Sequence, residues 1–284
     1  MAYPKPKKPI KLIATDLDGT LLNPKGEISA RTLRAMRRCE ERGVRFVMAS
    51  GRTFEGIRTL ARKAGLNSPI ISCNGGRVDA SPFGPALLED TLPPAVADEV
   101  FDVLAGSGLY MECYGPGALY LVHPERSPFI AGPEAYVPPK DVVDADGYVQ
   151  RYVVGLDEMA GARHHAYKFA AFSRDPAVLR GLTERLAHLP VTINSAFPFN
   201  IEIMEKGRGK GRALTFLAER LGLERDELMA FGDGTNDLEM LQAAGTGVAM
   251  GNAAGPLRRA ADLVAPTNAE DGEAEIIEKL VLGE

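Results

Sequence analysis

The sequence predicts an α/β protein, a parallel sheet with an α+β domain inserted into it. Short apolar runs without polar alternation recur near both ends, amphipathic segments separate them, and the rhythm breaks between about residues 80 and 200. A strand buried on both faces has no wet side to alternate toward, so such runs separated by helices are the pattern of βαβ units. The changed middle is a second domain set into the first.

In chain order, the first run covers 10–15 and ends in acids. Ser29 then stands as the N-cap of a helix with Leu33 and Met36 on one face, stopped by Gly43. A run over 44–49 follows, then a helical stretch carrying Ile57, Leu60 and Ala64 with Gly65 as its stop, then a third run over 69–73. The middle region is rich in Pro and Gly. It holds a hairpin-like pair, 110–114 and 119–122, joined by Gly115-Pro116-Gly117, further strands over 166–172 and 191–194, and helices over 95–104 and 176–186. Residues 124–161, with Pro138-Pro139 and Gly147, show no clear period and read as loop and helix. The first rhythm then returns. Helices are expected over 210–221, 237–244, 256–261 and 274–280, with strands over 228–231, 247–250 and 263–265.

Composition narrows the partners. At about 100–200 residues per domain, 284 residues make one large domain or two ordinary ones, and 45% hydrophobic with 25% charged residues is too apolar for disorder. Thirty-three basic against 38 acidic side chains give a net charge of −5, so no global positive field is available to hold a polyanion, and nucleic acid is not expected as a partner. Cys39, Cys73 and Cys113 are odd in number and form no CxxC pair, which argues against a disulfide framework or a zinc ribbon and for a reducing, cytoplasmic location. The basic, Pro-rich start from Met1 to Lys8 leads into an apolar stretch cut short by Asp16 and Asp18, so no export signal is expected. The longest apolar run, 118–122, is far below the roughly 20 residues that span a bilayer, and no membrane association is expected.

The chemistry concentrates at strand ends. Asp16 and Asp18, in Asp16-Leu17-Asp18-Gly19-Thr20, lie two apart at the end of the first strand and so point to the same side, at the carboxyl edge where open α/β sheets bind ligands. A lone Asp-x-Asp also caps helices or solvates turns. A second acidic pair, Asp233 and Asp237 in Gly232-Asp233-Gly234-Thr235-Asn236-Asp237, closes another expected strand. Four carboxylates in one crevice repel unless a divalent cation sits among them, and hard oxygen donors beside a glycine-rich turn favour magnesium. Ser50-Gly51-Arg52 ends the second strand at a helix N-terminus, an anion site of hydroxyl and backbone N–H groups. Lys210, between Gly209 and Gly211 at a helix start, offers a cation for a phosphoryl oxygen, although the following glycine excludes a Walker A loop.

Together these four segments resemble the haloacid dehalogenase (HAD) superfamily, in particular the Cof-type phosphatases. The resemblance rests on Asp16 to Leu22, Ser50-Gly51-Arg52, Lys210-Gly211 and Gly232 to Asp237, in that order, with secondary similarity at Asn74-Gly75-Gly76, 247–253 and 268–272. Asp16 and Ser50 stand 34 positions apart, room for one helix, whereas Ser50 and Lys210 stand 160 apart. The resemblance therefore implies the later, α/β type of cap, C2B, over 85–198, set into a discontinuous Rossmann-like core over 1–84 and 199–284. It also implies a magnesium-dependent phosphatase acting on a small phosphorylated metabolite such as a sugar phosphate. In that scheme Asp16 is the nucleophile and Asp18 the acid and base. Asp16, the Asp18 backbone carbonyl, Asp233 and Asp237 hold the metal, and Ser50, Gly51, Lys210 and Asn236 hold the phosphoryl oxygens. Arg208-Gly209 departs from the apolar residue and serine that usually precede the lysine. The alternatives are a phosphomutase of the same fold, with Arg151, Arg163 and Lys168 as candidate charges, and a phospho-ligand-binding protein without turnover. Neither the native substrate nor the oligomeric state is legible in the sequence.

Overall fold

The computed structural model describes residues 3–130, 140–143 and 147–284. They fall into two compact units, Met1–Leu88 with Gly209–Glu284, and Glu89–Arg208. The chain begins with β1 (Leu12–Thr15), α1 (Ala30–Glu41), β2 (Arg45–Ala49), α2 (Phe54–Ala64), β3 (Ile70–Ser72), β4 (Arg77–Asp79) and β5 (Ala86–Glu89). The second unit holds α3 (Pro94–Ala105), β6 (Tyr110–Gly115), β7 (Ala118–Val122), β8 (Val142–Val143), β9 (Val149–Val154), α4 (Leu156–Ala162), β10 (Lys168–Phe172), α5 (Pro176–Leu186), β11 (Val191–Asn194) and β12 (Asn200–Glu205). The first unit resumes with α6 (Lys210–Arg220), β13 (Leu228–Gly232), α7 (Leu238–Ala243), β14 (Thr246–Ala249), α8 (Gly255–Ala260), β15 (Leu263–Val264) and α9 (Gly272–Ile277).

In the first unit the strands run in the order β15-β14-β13-β1-β2-β3-β4-β5, parallel from β15 to β3, with β4 antiparallel to β3. Successive residues of the central strands enter two separate cores: Ile13, Phe46, Met48, Met229 and Phe231 pack on one face, Leu12, Ala14, Val47, Ala49, Leu228 and Ala230 on the other. This two-sided burial is why those segments read as unbroken apolar runs. Ser29 caps α1 by accepting from Thr32 N–H, and Met36 and Cys39 face the core. Thr53 caps α2 in the same way through Gly56 N–H, and Gly65 closes it in the left-handed conformation. These caps and apolar stripes carry the helices that space the parallel strands.

The second unit is a sheet in the order β11-β12-β10-β6-β7-β9-β8, antiparallel throughout except where β7 meets β9. Phe169, Ala171, Ile201 and Ile203 share one core with Val100, Leu104, Leu182 and Leu186 from α3 and α5.

Three expectations need correction. The second boundary falls after Arg208, not at 198, because β12 pairs with β10 and β11 and belongs to the inserted sheet. Residues 124–161, expected as loop and helix, contain the strands β8 and β9 as well as α4, while Pro138-Pro139 lies outside the described residues. The parallel sheet is extended at one edge by β4 and β5, and β5 lies beyond residue 84, where the first segment of the core was expected to end. Among the described residues no helix is long and apolar enough to cross a membrane.

Candidate active site

β1 and β13 lie side by side at the centre of the parallel sheet, Thr15 in register with Phe231, and the Asp16 N–H donates to the Phe231 carbonyl at 3.0 Å. Strand pairing thus delivers the two acidic segments, more than 200 residues apart in sequence, to the same carboxyl edge. Carboxylate oxygens of Asp16, Asp233 and Asp237 lie within 4.8 Å of one another. Asp237 is fully buried and Asp16 only 6% exposed. The Asp18 carboxylate stands outside this cluster, gripped by Arg52 through Nε to Oδ2 at 2.8 Å and Nη2 to Oδ1 at 2.5 Å.

Lys210 is the cation inside the cluster. Its Nζ donates to Asp16 Oδ1 and to Asp237 Oδ1, both at 2.6 Å, and the side chain is 1% exposed. Burial disfavours this ammonium, yet Asp16 and Asp237 outweigh that cost and hold its pKa above the ordinary lysine value. The unusual Arg208-Gly209 before it does not disturb the lysine. Arg208 turns to Glu205 and Asp90, and α6 starts at Lys210 without a side-chain cap.

The remaining segments support these groups. Asp237 Oδ2 accepts from the backbone N–H groups of Asp233 and Gly234 at 3.1 and 2.9 Å, folding the acidic loop onto its own carboxylate. Thr20 Oγ1 donates to Asp233 Oδ1 at 3.0 Å, and Asn252 Nδ2 donates to the Gly19 carbonyl at 2.8 Å. Gly19 is required here. It sits at φ +85°, and a Cβ on it would lie 2.2 Å from Asp233 Oδ2. Ser50 is buried at the end of β2; its Oγ accepts from Arg52 N–H at 3.3 Å, with Gly51 between them. Asn236 Nδ2 donates to Asn74 Oδ1 at 3.2 Å.

Sequence reasoning missed five of these residues as parts of the site: Thr20, Arg52, Asn74 and Asn252, which touch expected site residues, and Glu273, discussed below. Asn74 is held at φ 56°, a left-handed conformation that asparagine tolerates better than most residues, and its place in an Asn-Gly-Gly run was the visible signal. The charges considered for a mutase all belong to the second unit. Lys168 is buried against Glu202 and over the Tyr114 ring, Arg163 pairs with Asp98, which also bonds His164, and Arg151 is exposed on β9.

The donor set suits a divalent cation. Three carboxylates and one ammonium leave two negative charges uncompensated, and every available donor of the cluster is a hard oxygen. Burial, and then the neighbouring carboxylates against the pull of Lys210, pushes Asp16 up to about 8; burial and Asp237 push Asp233 up to about 6. Acids crowded so that they resist ionising are relieved by an added cation, which inverts the local electrostatics.

An open parallel sheet with an inserted α+β unit, and an acid cluster enclosing one buried lysine at the strand ends, define a haloacid dehalogenase-type hydrolase. The family model for haloacid dehalogenase-like hydrolases matches residues 13–277, and the chain belongs to that family. It is 32% identical to phosphatase YwpJ of Bacillus subtilis (strain 168) over 96% of this chain and 100% of that one. It is 30% identical to the pyridoxal phosphate phosphatase YbhA of Escherichia coli (strain K12), over 94% and 97% of the two chains. A solved haloacid dehalogenase-like hydrolase from B. subtilis superposes with a TM-score of 0.81 at 29% identity, covering 95% of this chain and 100% of the other.

Proposed function

We propose that the protein is a magnesium-dependent phosphatase that hydrolyses a small phosphorylated metabolite through an aspartyl-phosphate on Asp16. The observation that carries the reading is the convergence of Asp16, Asp233 and Asp237 within 4.8 Å around the buried Lys210 ammonium. Asp16, Asp233, Asp237 and the Asp18 backbone carbonyl would hold the ion. When bound, magnesium supplies positive charge that lets an anionic carboxylate approach an anionic phosphate and offsets charge on the transferring group.

The chain's own residues do the rest. An Asp16 carboxylate oxygen attacks phosphorus and the ester P–O bond breaks, its electron pair leaving with the alkoxide oxygen. Asp18 gives that oxygen its proton. A water molecule then attacks the phosphoryl group, Asp18 takes the water's proton, and inorganic phosphate leaves as Asp16 is regenerated. Ser50, the Gly51 backbone, Lys210 and Asn236 hold the phosphoryl oxygens. Two unit charges about 4 Å apart interact by roughly 1 to 4 kcal/mol at effective dielectrics of 80 to 20, so a lysine in this place offsets a carboxylate–phosphate repulsion of that order. Arg52 keeps Asp18 in a half-exposed, solvent-screened pair that an incoming phosphate can replace.

That relatives are named for pyridoxal phosphate and for 5-amino-6-(5-phospho-D-ribitylamino)uracil supports beginning the search for a substrate among small phosphomonoesters. A screen of phosphorylated metabolites with phosphate detection, run with and without magnesium, tests the reading. Wild type is expected to release phosphate only with the ion, and Asp16→Asn to lose turnover altogether. Asp16→Asn activity near that of wild type would remove Asp16 as nucleophile, and an isomerised sugar phosphate in place of free phosphate would make the protein a mutase.

A further inference from the structure

Glu273 lies in the first turn of α9, whose Ala274, Ile276 and Ile277 pack into the apolar core, and it is 2% exposed. Its Oε2 stands 3.0 Å from Thr15 Oγ1, and its buried Oε1 meets no hydrogen-bond partner among the described residues. Thr15 ends β1, immediately before Asp16, and its hydroxyl oxygen is 2.9 Å from the Asp16 backbone carbonyl. A hydroxyl owns one proton, so Thr15 cannot donate to both oxygens at once. If Glu273 were ionised, one contact would set lone pair against lone pair. If Glu273 carries a proton, both contacts become hydrogen bonds: Glu273 donates to Thr15 Oγ1, and Thr15 donates to the Asp16 carbonyl. The bare Oε1 agrees, because a buried neutral carbonyl without a partner costs far less than a buried unpaired carboxylate.

We propose that Glu273 is a positioning residue for the Asp16 nucleophile, acting as a neutral acid through Thr15 on the Asp16 carbonyl. The nucleophilic role of Asp16 rests on the function proposed above; the hydrogen-bond chain does not. The Asp16 carbonyl also accepts from Leu21 N–H at 3.2 Å, so with Thr15 both of its lone pairs are used and the peptide plane behind the carboxylate is fixed. Burial, opposed by the Thr15 contact, pushes Glu273 up to about 8, consistent with a proton held at neutral pH.

Wild type, Glu273→Gln and Glu273→Met are to be compared in magnesium with p-nitrophenyl phosphate, and by infrared difference spectroscopy of the carboxyl C=O region. Wild type should show a protonated-carboxyl band that Glu273→Gln removes. Glu273→Gln, whose amide N–H donates to Thr15 Oγ1, should keep kcat within about threefold. Glu273→Met, similar in size but unable to donate, should lose about tenfold in kcat with KM within about twofold, the signature of a displaced reacting group. No such band in wild type, a Met variant turning over like wild type, or a Gln variant falling as far as Met would overturn the proposal. Should Glu273→Met fail to fold, Thr15→Val carries the kcat arm with the same expected loss, and full kcat would count against the proposal. If no protein in the series releases phosphate, the proposed function fails, while the infrared band still decides the hydrogen-bond chain.

Discussion

Lys210 shows how one side chain is stabilised by charges that would each be costly without it. Replacing it by methionine, of similar length, leaves Asp16 and Asp237 buried beside each other without their shared ammonium. Breaking a buried pair by removing one partner typically costs about 3–5 kcal/mol. Urea denaturation of Lys210→Met without divalent ions should show a loss of that order, and phosphate release should disappear with it; wild-type stability would show that the ammonium is not the clamp. Glu273 has the opposite character, an acid stabilised by keeping its proton. Its folded pKa of about 8 lies above its ordinary value of 4.5, so between those values the folded state binds more protons than the unfolded chain and stability falls as pH rises. The slope from this one group is at most about 1.4 kcal/mol per pH unit. Denaturation at pH 5 and pH 7.5 should therefore show wild type losing more stability than Glu273→Gln, and parallel profiles would contradict a proton held on Glu273. At this scale the acids, Ser50 and Lys210 were legible because residue type and spacing announce them. Thr20, Asn252 and Glu273 were not, since each matters through a contact with a segment far away in sequence.

Elements were legible where local chemistry and burial agree. α1 carries a serine cap and an apolar stripe, and α5 carries Asp175, which accepts from Ala177 N–H, followed by Pro176. Both were anticipated within a residue or two of their starts. Ser29→Ala should cost about 1 kcal/mol in thermal or urea unfolding, while Ser29→Asp should retain most of that stability because its carboxylate can accept the same N–H. Equal stability of Ser29→Ala and wild type would mean that the Thr32 N–H finds another acceptor. β12 was not anticipated as part of the inserted sheet. Asn200-Ile201-Glu202-Ile203 alternates polar and apolar as a strand does, but Glu202 is buried against Lys168 on β10, and no local pattern tells which sheet such a strand joins.

For the whole molecule, a cation held by Asp16, Asp233 and Asp237 would tie distant segments together. An ion held by Asp16, Asp233 and Asp237 binds the folded chain and not the unfolded one. At about a hundred times its dissociation constant it should add about 2.7 kcal/mol, a rise of several degrees in Tm. Magnesium should raise the Tm of wild type, and the shift should shrink markedly in Asp233→Asn. An equal shift in both proteins would place the ion elsewhere. The sequence by itself determined the parallel sheet, the inserted unit and the order of the four acidic and basic segments, because burial periodicity, turn residues and spacing are local properties of a chain. Only the tertiary structure decided that Lys210 bridges Asp16 and Asp237, that Arg52 holds Asp18, and that the buried Glu273 stands against Thr15, next to Asp16. Those contacts come from strand register and helix packing across 27 to 258 residues, distances over which residue spacing carries no geometric information.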